Sequence, residues 1–174
     1  MSLLPEYADS LAAAQNVINV VATIPALFLV DRLGRRSLLL AGSAGCALGM
    51  FVTATAMLLP TPLPIPAVIG IFIFVVNFAY ALGPLPWVVC SEIFPSCIRS
   101  KAIAACTASN WIFNLAVSFS APLLLDSIGP YTFYIFGSSC LFMYIWTLKT
   151  LPETKGLSLE QVDKLLSNAK HNKQ

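Results

Sequence analysis

The residues best suited to chemistry in this sequence are one tryptophan behind a proline-rich break and two rows of small polar side chains. The break reads Gly83-Pro84-Leu85-Pro86-Trp87 and continues into Ser91-Glu92-Ile93-Phe94-Pro95. Pro84 and Pro86 each remove a backbone donor, so a helix passing through them must break or kink. Inside a membrane such a break is tolerated only where protein or a water-filled cavity satisfies the freed backbone groups. Interrupted helices of this kind mark midplane binding sites in transporters. Trp87 adds a broad apolar face and one N–H donor, which suits a ring with an apolar C–H face and a hydroxyl rim. The same indole would serve equally well as an interfacial belt residue beside a structural kink.

The polar rows recur at helical spacing. Thr107, Asn110, Asn114 and Ser118 share one face, and Gln15, Asn19 and Thr23 share another. Amides on an otherwise apolar helix bond a neighbouring helix or face a polar cavity, and inter-helix bonds are the commoner use. Two such rows beside a broken helix favour the cavity. Enzymatic chemistry is not expected. The single histidine, His171, stands near the end of the sequence, and no nucleophile has an adjacent base. No glycine-rich phosphate loop follows a strand. Five cysteines without a C-x-x-C spacing indicate neither a disulfide framework nor a zinc site. Neither a cofactor nor a metal is expected.

The elements that must position these residues follow from where charge is absent. The chain has 174 residues, of which 57% are hydrophobic and 10% charged, with a mean hydropathy of +0.80. Soluble domains carry about 25% charged residues, so the composition describes an integral membrane protein. A net charge of +2 offers no basic surface for nucleic acid, which is not expected as a partner. No Asp, Glu, Lys or Arg occurs in Ser10–Val30, Ser37–Ser91, Ala102–Leu125 or Ser127–Leu148. About 20 apolar residues cross the hydrocarbon core of a bilayer. The longest window, 37–91, is divided by the proline run from Pro60 to Pro66. The expectation is an all-α, multi-pass bundle of five spans, at about 10–30, 37–59, 67–91, 102–125 and 129–148. A transmembrane bundle over 1–151 is then followed by a tail over 152–174.

With five spans, all ten basic residues fall on one side of the membrane. Arg32, Arg35 and Arg36 follow the first span, Arg99 and Lys101 the third, and Lys149, Lys155, Lys164, Lys170 and Lys173 the fifth. The positive-inside rule makes that side cytoplasmic and places the N-terminus outside. No Lys or Arg precedes the first apolar run, so that run is not read as a signal peptide.

Local motifs refine the picture. Asp31-Arg32-Leu33-Gly34-Arg35-Arg36 demands a tight turn at Gly34. Its arginines anchor topology or form an ion-pair latch with Glu92, with Arg99 nearby. Gly42, Gly45 and Gly49 allow close helix approach. Ser158 and Gln161 form a capping-box pattern that opens a short amphipathic cytoplasmic helix.

Three of these motifs, the Asp31–Arg36 run, the Gly83–Pro95 segment and the Pro152–Gly156 tail, resemble the sugar porter family of the major facilitator superfamily. The wording is similar to its fungal hexose transporters. The resemblance implies the eighth to twelfth of twelve spans and alternating access between two six-helix bundles holding a sugar. By position it implies sugar contacts for Asn19, Trp87, Asn110 and Asn114, and a helix break at Gly83, Pro84 and Pro86. It implies a cytoplasmic gate of Asp31, Arg32, Arg35, Arg36, Glu92, Arg99 and Glu153. The partners implied are a small-molecule sugar, the lipid bilayer and a missing N-terminal bundle or partner chain.

The sequence departs from the family in places. Spans one to seven do not occur in it, including the seventh, which supplies Gln and Asn residues central to sugar binding. Ser100 stands where the family usually has Gly, and Ala79 where some members have Glu. Two alternatives accompany the expected sugar transport across the plasma membrane by the C-terminal part of a twelve-span protein. One is a non-transporting sugar sensor. The other is a truncated five-span chain that depends on a partner.

Overall fold

The computed structural model describes residues 8–59, 64–153 and 155. Its elements are α1 (Ala8–Leu33), α2 (Arg35–Leu58), α3 (Pro64–Asn77), a π-helical turn (Phe78–Leu82), α4 (Leu85–Ile93), α5 (Arg99–Ile128) and α6 (Tyr131–Thr150). The described residues are helical with no strand, as the composition requires. The segments Arg35–Leu58, Ile65–Ile93 and Arg99–Ile128 are long and apolar enough to cross a membrane, and Ala13–Ile24 forms a shorter apolar stretch.

The core gathers around α2, which packs against α3 on one side and α6 on another. Leu38 and Leu39 of α2 are buried with Ala81, Leu85 and Val89. The glycines of α2 explain this closeness. A Cβ on Gly49 would lie 2.6 Å from the Gly70 carbonyl oxygen and 2.7 Å from the Phe74 nitrogen. Backbone therefore meets backbone between α2 and α3, as the small-residue spacing predicts. Thr53 ties the same contact, donating to the Gly49 carbonyl at 2.9 Å and to the Ala67 carbonyl at 3.3 Å. On the α6 side, Thr55 and Tyr134 share a hydroxyl–hydroxyl bond of 2.9 Å.

Two boundaries differ from the sequence expectation. The third helical rod begins at Pro64, three residues before the expected span, with Pro66 in its first turn. Proline is tolerated there because the first-turn N–H groups have no intrahelical partner. The break in that rod also starts earlier than the Gly83–Pro86 motif. Pro84 cannot donate to the Tyr80 carbonyl, nor Pro86 to that of Leu82, so the ladder slips before the prolines arrive. It slips into the π turn, where the Gly83 N–H reaches back five residues to the Phe78 carbonyl at 2.8 Å. Pro84 then caps α4, and Pro86 sits in its first turn. The expected tail helix from Ser158 lies outside the described residues, as do residues 60–63 of the proline run.

Candidate functional site

Gly34 makes the tight turn between α1 and α2 with a φ of 89°, a conformation that suits glycine. That turn exposes the first N–H groups of α2, and no local side chain caps them. The cap comes from far along the chain. The Glu153 carboxylate accepts from the Arg35 N–H at 2.9 Å and from the Arg36 N–H at 3.2 Å. The positive end of the α2 dipole thus faces a carboxylate, the favourable sign.

The Arg35 side chain extends the cluster to α4. Its Nε donates to Glu92 Oε1 at 3.0 Å, and its Nη2 pairs with the same oxygen at 3.0 Å. Its Nη1 donates to the Val30 carbonyl at 3.2 Å, which satisfies an acceptor in the last turn of α1. Arg36 Nη2 donates to the Leu148 carbonyl in α6 at 2.8 Å. Lys155 Nζ donates to the Arg32 carbonyl at 2.6 Å, and its backbone N–H to Glu153 at 3.1 Å. One cluster therefore holds the ends of α1, α2, α4 and α6.

The gate residues drawn from the sequence are not used alike. Arg35, Arg36, Glu92 and Glu153 meet in this cluster. Arg32 takes part through its carbonyl while its side chain is exposed. Arg99 donates Nε to the Phe94 carbonyl at 3.1 Å, bracing its own α4–α5 turn. The Asp31 side chain lies outside the described residues. Lys155 is a participant that the sequence reading did not single out. Its place within Glu153-Thr154-Lys155-Gly156 was the available signal.

The polar rows lie on open surface. No residue of α5 is buried. Asn114 Nδ2 donates to the Asn110 carbonyl at 3.0 Å and to Asn110 Oδ1 at 2.9 Å, so the two amides bond along their own helix. Among the described residues neither amide bonds another helix. Asn19 is exposed on α1, and its carbonyl accepts from Thr23 at 2.8 Å. Trp87 is 43% exposed on α4. The broken rod packs against α1 through α3 and the π turn, and against α5 through α4. Ala79, at the position where some family members carry Glu, is buried, whereas Ser100 is exposed.

A second polar node escaped the sequence reading. Tyr80 donates its hydroxyl to Asn77 Oδ1 at 2.9 Å, and Asn77 Nδ2 donates to the Ile73 carbonyl at 2.7 Å. The node marks the entrance to the π turn. An Asn inside a long apolar run was its only sequence signal.

Helical rods long enough to cross a bilayer, one of them broken beside an exposed indole, describe a polytopic membrane protein. The sequence pattern of the family described as sugar (and other) transporter matches residues 9–166, and the chain belongs to that family. It is 35% identical over 150 residues to the arabinose-proton symporter of Bacillus subtilis, covering 86% of this chain and 32% of that protein. It is 34% identical over 161 residues to the facilitated glucose transporter member 4 of solute carrier family 2 from Bos taurus, covering 91% and 31% respectively. Its fold is similar to the inward-open xylose transporter XylE from E. coli, with a TM-score of 0.81 and 36% identity over 87% of this chain and 34% of that one. The chain spans about a third of the length of these relatives.

Proposed function

We propose that this chain is the C-terminal five-span part of a twelve-span transporter that moves a hexose-like sugar by alternating access. The observation that carries the reading is the surface of α5. Its amide row is exposed on a helix long enough to cross a bilayer, and exposing such groups to lipid is costly. A facing bundle, from the same polypeptide or from a partner, would turn that surface into one wall of a wet cavity. Asn19, Trp87, Asn110 and Asn114 are its sugar contacts in this reading, with the Trp87 indole under the ring and the amides on its hydroxyls. The named sugars of the relatives support the substrate class.

The Arg35–Glu92 pair and the Glu153 cap act as the cytoplasmic gate in this reading, because they tie together helix ends that must separate for the inner mouth to open. In this reading the chain has five spans in the plasma membrane, with the N-terminus outside and the basic side facing the cytoplasm. No enzymatic step is involved. The test is uptake of labelled hexose by cells expressing the full-length polypeptide. Trp87→Ala and Asn110→Ala should each lower uptake at least tenfold while surface expression persists. Unchanged uptake in both variants overturns the site assignment.

A further inference from the structure

Beyond the cluster and the polar rows, Gly42 and Gly45 of α2 face the region of the π turn, which packs against both α1 and α2. A Cβ on Gly42 would overlap the Ala81 side chain, and Ala79 and Ala81 are buried. Nearly one turn further along α2, a Cβ on Gly45 would overlap the Asn77 carboxamide and stand 2.7 Å from its Nδ2. The Asn77 amide is therefore seated on the Gly45 backbone, with Nδ2 donating to the Ile73 carbonyl at 2.7 Å. Its Oδ1 accepts the Tyr80 hydroxyl at 2.9 Å, from a residue inside the turn.

We infer that the Asn77–Tyr80 bond is the pin that fixes the π turn and so sets the rotation of α4, which makes both residues positioning residues for Trp87 and Glu92. A π turn holds one residue more between its hydrogen-bonded groups than an α turn does. Here the Gly83 N–H reaches the Phe78 carbonyl at 2.8 Å before α4 begins at Leu85. Closing the turn to the α register would rotate everything after it by about 100° and shift it by about 1.5 Å. Trp87 and Glu92 both lie beyond the turn, on α4. That rotation would carry the indole to another face and take Glu92 away from Arg35, which it now meets at 3.0 Å.

Pro84 and Pro86 open the ladder, and the pin fixes the turn that results. The bond runs from Tyr80 back to an amide that the Gly45 backbone holds in place, so Tyr80 is tied to α2 through Asn77. Closing the turn changes the angle between positions 77 and 80 and draws the phenol oxygen off the amide. One hydroxyl thereby governs both the indole and the carboxylate that pairs with Arg35, whichever solute the protein carries.

The test is hydroxyl-radical footprinting of the full-length polypeptide, read residue by residue by mass spectrometry. Tyr80→Phe, which keeps the ring, and Asn77→Ala should each shift the oxidation rate of Trp87 in the same direction, by up to about fivefold, the weight of one neutral hydrogen bond. The double variant should move it no further than the larger single change, because both remove the same bond. Trp146 on α6 is the internal reference. Thr53→Val breaks side-chain bonds of the α2–α3 contact away from the turn and should leave Trp87 unchanged. A Trp87 rate unmoved in both single variants, additive effects in the double variant, or an equal shift in Thr53→Val overturns the inference. A matching rise in KM for hexose uptake, with the maximal rate kept, rests in addition on the reading of Trp87 as a sugar contact. A shifted footprint with an unchanged KM upholds the pin and counts against that reading.

Discussion

Glu153 caps a helix that begins 118 residues before it, its carboxylate accepting from the backbone N–H of Arg35 at 2.9 Å. A second bond, from Arg36, makes the cap bidentate. Helix N-termini are ordinarily capped by the residue just before them. Gly34 occupies that position here and has no side chain to offer. The arrangement makes the start of α2 conditional on the segment after α6, so a local helix end reports on tertiary closure.

Removing the cap should cost what other N-caps cost, about 1 kcal/mol. Glu153→Ala is expected to lower the midpoint of thermal unfolding of the detergent-purified protein. Glu153→Gln, which keeps a carbonyl acceptor but loses the charge, should fall between Ala and the parent. Equal unfolding midpoints for all three proteins would refute the capping role.

Gly34 faces two penalties on substitution. Its φ of 89° disfavours any Cβ, and that Cβ would stand 2.6 Å from Glu153 Oε2. With ψ at 156° the backbone sits in a region essentially reserved for glycine, and that term alone is about 1–3 kcal/mol. Gly34→Ala should therefore destabilise the protein more than Glu153→Ala does. In the Glu153→Ala background its effect should shrink, because the steric part is gone. A double-mutant cycle of thermal unfolding checks this coupling.

Arg35 is 15% exposed at its side chain and Glu92 24%, so their pair is shielded more than a surface bridge. Contacting pairs in one network couple by about 0.5–3 kcal/mol. Arg35→Lys should recover little of this, because an ammonium cannot reach Glu92 and the Val30 carbonyl with a planar fork. Comparing Arg35→Lys with Arg35→Ala, each with and without Glu92→Gln, measures the coupling. Full rescue by lysine would contradict the geometric requirement.

Gly49 permits the closest backbone approach between α2 and α3. Gly49→Ala drives a methyl group towards the Gly70 carbonyl and the Phe74 nitrogen, which backbone alone must relieve. Overpacking of this kind costs about 1–3 kcal/mol. Gly129, where an added Cβ meets nothing within 4 Å but φ is 57°, is the control. Gly129→Asn should be milder than Gly49→Ala in the same thermal assay, since Asn tolerates positive φ.

Much of the architecture was legible from the order of charged and apolar residues. Charge-free windows mark the helical rods because no charged side chain is tolerated cheaply in an apolar helix meant for lipid. Gly34 read as a turn, Gly45 and Gly49 as a packing face, and the prolines as a break, because each reflects a local steric rule. The Arg35–Glu92 pairing was also foreseeable, since opposite charges confined to one membrane side have few places to go.

Other features depended on three-dimensional placement. Pro84 and Pro86 announce a lost donor, but only the packing of the rod against α1 and α2 decides that a π turn from Phe78 absorbs it. The resemblance assigns Arg99 to the gate by position, and only the fold shows that its Nε donates to the Phe94 carbonyl. Periodicity and charge are properties of short stretches, so the sequence by itself determined the helices, their breaks and the side of the membrane expected for the basic residues. Which carboxylate caps α2 and which arginine bonds Glu92 depend on distances between residues far apart in the chain, and those the tertiary structure decided.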